Sequence, residues 1–417
     1  MNVPALRFPD FHDDYKITKL GDVANFAKGK GISKADIADE GATPCIRYGE
    51  LYTVYGTSIE TVLSATNVPV DDLKLSIGGE VIVPASGEDA KDIATASVVL
   101  RSGVALGGDL NIIRGGFDGL FLASYISGKR RLALAAMAQG NSVVHLYPSQ
   151  LATLELSLPS ITEQKKIAAF LAVVDAKIAA LRDRVAGLER SKRGLMQALF
   201  SQTFRFTQDN GTAFPDWEEK RLGDLVDQSN RYGFTGGPFG SDLKQSHYTE
   251  EGVMVIQLQN IGDGEFIEKP DRIIFTSEED ADRLRACNIL AGDLLISKMG
   301  DPVARVCKVP DTYQRYVMCS DGIRFVVDEK RFNKEFVFQA LNTSFFRKNA
   351  IEASIGSTRR RISLGDLKGL KLPIPHPDEQ AKIAGALSAM DAKIAAVTGQ
   401  LDRMQDFKKG LLQQMFV

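Results

Sequence analysis

"EQKKIAAFLAVVDAKIAA" occupies residues 163–180, and "EQAKIAGALSAMDAKIAA" occupies residues 379–396. The two stretches agree at 12 of 18 ungapped positions across an offset of 216 residues, which chance does not produce. The repetition widens on both sides. "FPDF" from Phe8 leads to "KLGDV" from Lys19, and "FPDW" from Phe214 leads to "RLGDL" from Arg221. "GGEVIVPASGE" from Gly78 is echoed by "AGDLLISKMGD" from Ala291. "GNSVVHLYPSQLATLELSLP" from Gly140 answers to "GSTRRRISLGDLKGLKLPIP" from Gly356. Order is preserved throughout, so the chain reads as two tandem units of about 200 residues, each a variable body with a conserved tail.

The tails carry a helical signal. Apolar residues fall at Ile167, Leu171, Val174, Ile178, Leu181, Val185, Leu188, Leu195 and Leu199, and again at Ile383, Leu387, Met390, Ile394, Val397, Leu401, Met404, Leu411 and Met415. Steps of four and three alternate, with one seam position skipped, as in a coiled-coil heptad. Both tails place lysine at the skipped position, Lys192 and Lys408. Ser160 with Glu163 has the form of a capping box, and Pro377 suits a first helical turn. The competing reading of each stripe is an amphipathic helix packed on its own body. The matching interruptions favour a mutual pair.

The bodies read as mixed α/β. Strand-like runs ("EVIVPAS", "DLLISK", "IRFVV") alternate with glycine turns, and "FLASYISGKRRLALAAMAQ" and "EFVFQALNTSFFRKNAIEAS" each read as one amphipathic helix. The expected architecture is a mixed α+β chain of two pseudo-symmetric globular bodies, 1–158 and 206–375. Long helical segments, 159–205 and 376–417, follow them and form an antiparallel coiled coil.

Composition bounds the function. At 417 residues the chain exceeds one ordinary core, and 44% hydrophobic with 25% charged residues is a globular profile. No apolar run approaches the ~18 residues of a membrane span, and the start has no signal-peptide pattern, so a cytoplasmic protein is expected. Cys45, Cys287, Cys307 and Cys319 lack metal-ligand spacing, and the four histidines are scattered, so reduced structural thiols and no metal site are expected. Net charge is −2, with 51 Lys and Arg against 53 Asp and Glu, so any nucleic-acid contact must come from local clusters.

Catalytic motifs are missing. There is no GxxxxGK[ST] phosphate loop and no Pro-Pro-aromatic motif of an adenine methyltransferase. "PDWEEK" from Pro215 has only a superficial likeness to a nuclease site. Polar, glycine-rich loops remain. "GSTRRRIS" places Ser357, Thr358, Arg359, Arg360 and Arg361 after a helix, and arginine forks pair with guanine or clamp phosphate. The matching first-unit loop offers Asn141, Ser142 and His145 instead. Lys298 in "SKMGD" and Ser241 and Lys244 in "GSDLKQSHY" are further candidates. For all of these the competing reading is plain solvated surface.

These residues carry a resemblance to the specificity (S) subunits of type I restriction-modification systems. "GPFGSDLKQSHYTEEGVMVIQLQNIGDGEF", "GDLLISKMGD" and "GSTRRRISLGDLKGLKLPIPHPDEQAKI" are similar to the target-recognition-domain pattern of that family. "KGISKADI" and "IRYGELY" match another variant of it, which adds Lys30, Arg47 and Tyr48 as candidate DNA contacts. The resemblance covers essentially the whole chain. It implies two target recognition domains reading a bipartite, asymmetric site in double-stranded DNA, and helices that dock two methyltransferase (M) subunits. Two endonuclease/translocase (R) subunits join in the full complex. It also implies a non-catalytic chain with no cofactor of its own, S-adenosylmethionine, ATP and Mg belonging to the partners. A helix of ~40 residues spans about 60 Å, and half-sites one helical turn apart, ~34 Å, share a DNA face. The alternative is a repeat scaffold that binds proteins only.

Overall fold

The structure, a computed structural model, describes all residues except 1–2, 141–142, 239 and 357–358. Two compact units divide the chain: residues 1–184 with 397–417, and residues 185–396. Each long helix therefore contributes to both units.

In unit 1 a five-stranded sheet runs Ala24–Lys28, Leu110–Gly115, Glu80–Pro84, Ser97–Val99, Ser58–Ile59, antiparallel except for the last pair. A three-stranded sheet (Ser64–Thr66, Thr43–Ile46, Ala105–Leu106) packs in the same body, its last pair parallel. Unit 2 repeats the plan. Phe234–Gly236, Gly322–Phe325, Leu294–Ser297 and Val306–Lys308 form one sheet. The other contains Val253–Ile256 parallel to Arg315–Met318. The central strands EVIVP and LLIS are buried at every residue, which is why they read as unbroken apolar runs rather than alternating ones.

The strand entering each tail is sealed by the strand after the FPD motif. Lys16–Lys19 pairs with Glu155–Leu158, and Glu218–Arg221 with Lys371–Ile374, both antiparallel. Each body helix expected to be single is instead two: Gly119–Ser127 with Arg131–Met137, and Lys334–Leu341 with Ser344–Glu352. Local chemistry explains the breaks. Gly128 ends the first helix of unit 1. In unit 2 the Thr343 hydroxyl donates to the Ala340 carbonyl at 2.7 Å and accepts from Phe346 N at 3.2 Å, closing one helix and capping the next.

The long helices are Ile161–Phe200 and Pro377–Gln414. Their apolar stripes serve both readings. In unit 1, Ile167, Leu171, Val174 and Ile178 join a core with body residues Phe121 and Leu156 and with Leu411, Met415 and Phe416 of the other helix end. In unit 2, Leu199 joins Phe336, Leu372, Ile383 and Leu387. Inside each unit the two helix segments run antiparallel, and the lysines at the skipped seam positions bridge them. Lys408 Nζ meets Asp175 Oδ1 at 2.5 Å in unit 1, and Lys192 Nζ meets Asp391 Oδ1 at 2.6 Å in unit 2. Under the 216-residue offset these are the same bridge made twice.

The repeated Glu-Gln pair joins each helix to its own body. Ser160 Oγ accepts from Glu163 N at 3.3 Å, so it caps, but the Glu163 carboxylate does not close a capping box. It takes a fork from Arg7 (Nε–Oε1 and Nη2–Oε2, both 2.8 Å) and the Tyr15 hydroxyl at 3.0 Å. Glu379 is held alike by Arg205, with the Trp217 indole N–H donating at 3.1 Å. Gln164 accepts from Asp118 N and donates to the Pro159 carbonyl, both at 3.0 Å. Gln380 does the same with Asn333 N and the Pro375 carbonyl, both at 2.9 Å.

Candidate nucleic-acid interface

The arginine cluster is not an open loop. Arg360–Arg361 forms a short ladder with Met299–Gly300 (Arg361 opposite Met299), and Ile355 bridges to Arg361. Lys298 N donates to the Asp321 carbonyl at 2.7 Å and the Lys298 carbonyl accepts from Ile362 N at 3.0 Å, so Lys298 and the arginines belong to one surface. Arg361 Nη2 leans on Asp321 Oδ1 at 3.2 Å, and Arg360 Nη1 reaches the Ile351 carbonyl at 3.4 Å. Arg359 is exposed and has no ion pair among the described residues. Ser357 and Thr358 lie outside the described residues, as do Asn141 and Ser142.

Unit 1 builds the same ladder with other side chains. Val144–His145 pairs with Ser86–Gly87, and Gln139 bridges to His145. His145 thus holds the place of Arg361. Its ring lies 6.1 Å from that of Tyr147, over which Lys28 Nζ sits at 5.7 Å. Each ladder is preceded by a glycine at positive φ, Gly140 (+130°) and Gly356 (+101°), a conformation that L side chains resist.

A second loop cluster sits beside a glycine packed against backbone. A Cβ on Gly29 would stand 1.8 Å from the Gly107 carbonyl oxygen, and one on Gly237 1.7 Å from that of Cys319. In unit 1 the chain after Gly29 lines a groove of about 970 Å³ with Lys34, Arg47, Tyr48, Glu50, Tyr52 and Asp109. The turn 47–50 closes on its own side chain, Arg47 N donating to Glu50 Oε2 at 2.7 Å. The Arg47 Nε is buried without a partner among the described residues. Lys30, at the groove's edge, is turned to Asp72 at 3.4 Å and the Asp71 carbonyl at 3.2 Å.

The equivalent turns in unit 2 are 257–260, where Gln257 N donates to Asn260 Oδ1 at 2.8 Å, and 244–247, where Lys244 N donates to His247 Nδ1 at 3.2 Å. Lys244 opens the 244–247 turn and Ser241, its Oγ on Asp242 Oδ1 at 3.4 Å, precedes it; neither is on the arginine ladder. Arg305 ties the two loop clusters. Its Nη2 donates to the Leu258 carbonyl at 3.4 Å, its guanidinium lies beside Gly300, and its Nε is buried and unpaired among the described residues.

Sequence reasoning missed Lys34, Tyr52, Gln257 and Arg305. The signal for Gln257 was present: aligning "IRYGEL" (46–51) with "IQLQNI" (256–261) matches Ile46 to Ile256 and Glu50 to Asn260. Arg305 has no sequence signal, since its partners are set by folding.

The chemistry on offer is hydrogen-bond donation from arginine, lysine and amide groups on glycine-shaped loops, suited to base edges and phosphates. Burial raises the thiols, Cys45 and Cys287 to about 11 and Cys307 to about 12, so they stay protonated at neutral pH and are poor nucleophiles. Among the described residues, no cluster of three or more His, Cys, Asp or Glu has metal-site geometry, and no helix is long and apolar enough to cross a membrane.

Comparison with known proteins agrees with this reading. The family described as "Type I restriction modification DNA specificity domain" matches residues 12–190 and 215–404. The chain is 23% identical to the type I restriction enzyme MjaVIII specificity subunit of Methanocaldococcus jannaschii, over 98% of this chain and 92% of that one. It is 22% identical to the StySPI specificity subunit of Salmonella potsdam, over 69% of this chain and 62% of that one. The S subunit structure from M. genitalium superposes with a TM-score of 0.60 at 16% identity, over 100% of this chain and 99% of that one. The chain therefore belongs to the type I restriction-modification DNA specificity family, with two copies of its domain and a part in recognition rather than catalysis.

Proposed function

We propose that the two bodies, 1–158 and 206–375, each read one half of a bipartite, asymmetric site in double-stranded DNA. The tails 159–205 and 376–417 dock two methyltransferase subunits, with two endonuclease/translocase subunits joining the full complex. The observation that carries this reading is one ladder built twice with different side chains, Arg361 in one body and His145 in the other. A duplicated scaffold with unlike donors at the same place suits two unlike half-sites. In unit 2 the readers are Arg359, Arg360, Arg361 and Lys298, with Ser357, Thr358, Ser241 and Lys244 as further candidates. In unit 1 they are His145, Arg47, Tyr48 and Lys30, with Asn141 and Ser142. Arg359 has the freest fork, while Arg361 is oriented by Asp321 as a base-reading arginine needs to be. S-adenosylmethionine, ATP and Mg belong to the partner subunits, and the complex works in the cytoplasm, where its DNA is.

An electrophoretic mobility shift with the methyltransferase partner tests this. The complex should retard a duplex carrying the full site, and duplexes with either half scrambled should compete poorly. Retention of the methyltransferase with no preference among duplexes would make the chain a protein scaffold instead.

A further inference from the structure

The grooves between body and long helices differ in kind. The unit 2 groove, about 660 Å³, contains a continuous chain of internal contacts. Lys192 binds Asp391 Oδ1 at 2.6 Å, and Gln339 Nε2 donates to Asp391 Oδ2 and to Glu335 Oε1, both at 3.2 Å. Glu335 Oε2 then meets Lys308 Nζ at 2.5 Å.

The matching groove of unit 1, about 710 Å³, lacks that network. The helix caps Asp118 and Asn333 align the bodies here, which puts Ser124 in the place of Gln339 and Leu120 in that of Glu335. Ser124 is 2% exposed, lines the groove, and its Oγ has no hydrogen-bond partner among the described residues. Lys129, Arg182 and Lys409 line the same groove, exposed and without an ion pair among the described residues. Among the described residues Asp175 is the only acidic one lining it, and Lys408 already binds that carboxylate. A chain of net charge −2 thus keeps unanswered cations around an orphaned buried hydroxyl.

We propose that this groove is a docking site for an acidic segment of a partner protein. The incoming carboxylates take the part that Glu335 plays internally in unit 2, binding the cations at the rim and accepting from Ser124 Oγ. A protein ligand fits better than DNA for two reasons. The equivalent groove accommodates protein carboxylates, and a duplex presents its phosphates on a rigid convex backbone that cannot follow Ile178 and Leu412 inward to Ser124. Because Asp175, Arg182, Lys408 and Lys409 belong to the tails, the inference rests on the reading of the tails as docking surfaces, while it stands apart from the loops assigned to base reading.

The test uses the full chain and a fluorescein-labelled amphipathic peptide of about 15 residues, four helical turns, with glutamates on one face and leucines on the other. Fluorescence polarisation should show saturable binding that weakens with salt. Arg182→Glu combined with Lys409→Glu should lower affinity by at least about tenfold, since like charge then faces like. Arg193→Glu, at the unit 2 position matching Lys409, should leave binding unchanged. If the double variant does not fold by circular dichroism, Lys129→Gln should still weaken binding measurably. The proposal is overturned if the glutamate peptide does not saturate, if its lysine counterpart binds as well, if the groove variants bind like wild type, or if nonspecific duplex DNA displaces the peptide.

Discussion

At the residue scale, the most informative pair is Glu163 and Glu379. Both carboxylates are essentially fully buried, each forked by an arginine that comes from outside the repeat, Arg7 and Arg205. Without its glutamate each arginine, 11% and 22% exposed, still donates to a backbone carbonyl, so what is lost is a charge-assisted fork of about 1.5–3 kcal/mol. Glu163→Ala and Glu379→Ala should each lose stability on that scale in chemical denaturation, and a loss below about 1 kcal/mol would show the clamps to be idle. The repetition of these glutamates was legible in the sequence. Their role was not, because the partners lie 156 and 174 residues away and periodicity carries no such information. The cysteines allow a second check. Thiols raised to about 11–12 should resist iodoacetamide at pH 8.5 in the folded chain and react once it is denatured. Because the folded pKa lies above the unfolded one, their burial contributes stability fully below about pH 8.5. That contribution declines as pH rises toward the folded values.

At the scale of elements, the long helices were legible from their four-three spacing, and the lysines at the skipped positions marked the contact between them. The structure adds their acceptors, Asp391 and Asp175. Those carboxylates are 44% and 33% exposed, so they keep their hydration when the lysine is lost. Lys192→Leu and Lys408→Leu should each change stability by less than about 1 kcal/mol, and a Lys192/Asp391 double-mutant cycle should give a coupling of similar size. A coupling near zero would leave the bridge with no part in register. The paired body helices were misread as single because their apolar pattern continues across Gly128 and Thr343, where capping chemistry breaks them. Gly29 and Gly237 bring the candidate loops against backbone carbonyls that cannot retreat cheaply. Gly237→Ala should therefore cost about 1–3 kcal/mol by overpacking and weaken DNA binding, whereas Gly31→Ala, with open space around its Cβ position, should be tolerated.

At the scale of the molecule, duplication organises everything. One plan of strands, helix caps, glutamate clamp and seam bridge is used twice, while the side chains on the matching ladders diverge. The shared plan was legible because it repeats. The candidate site was legible only in part, since Arg359–Arg361 announce themselves as a cluster, whereas the unit 1 groove is assembled from turns far apart in sequence. The central claim is that each body reads its own half of one DNA site. Sequencing methylated bases in cells carrying the methyltransferase partner tests it most directly, with Arg359→Ala and Arg361→Ala in one body set against Arg47→Ala and Tyr48→Ala in the other. A base-reading arginine should cost about 1–3 kcal/mol and relax its own position, so the two sets should degrade opposite halves of a bipartite motif and leave the other half intact. Damage to the same half by both sets, or an unchanged motif at full occupancy in all four, would contradict the account.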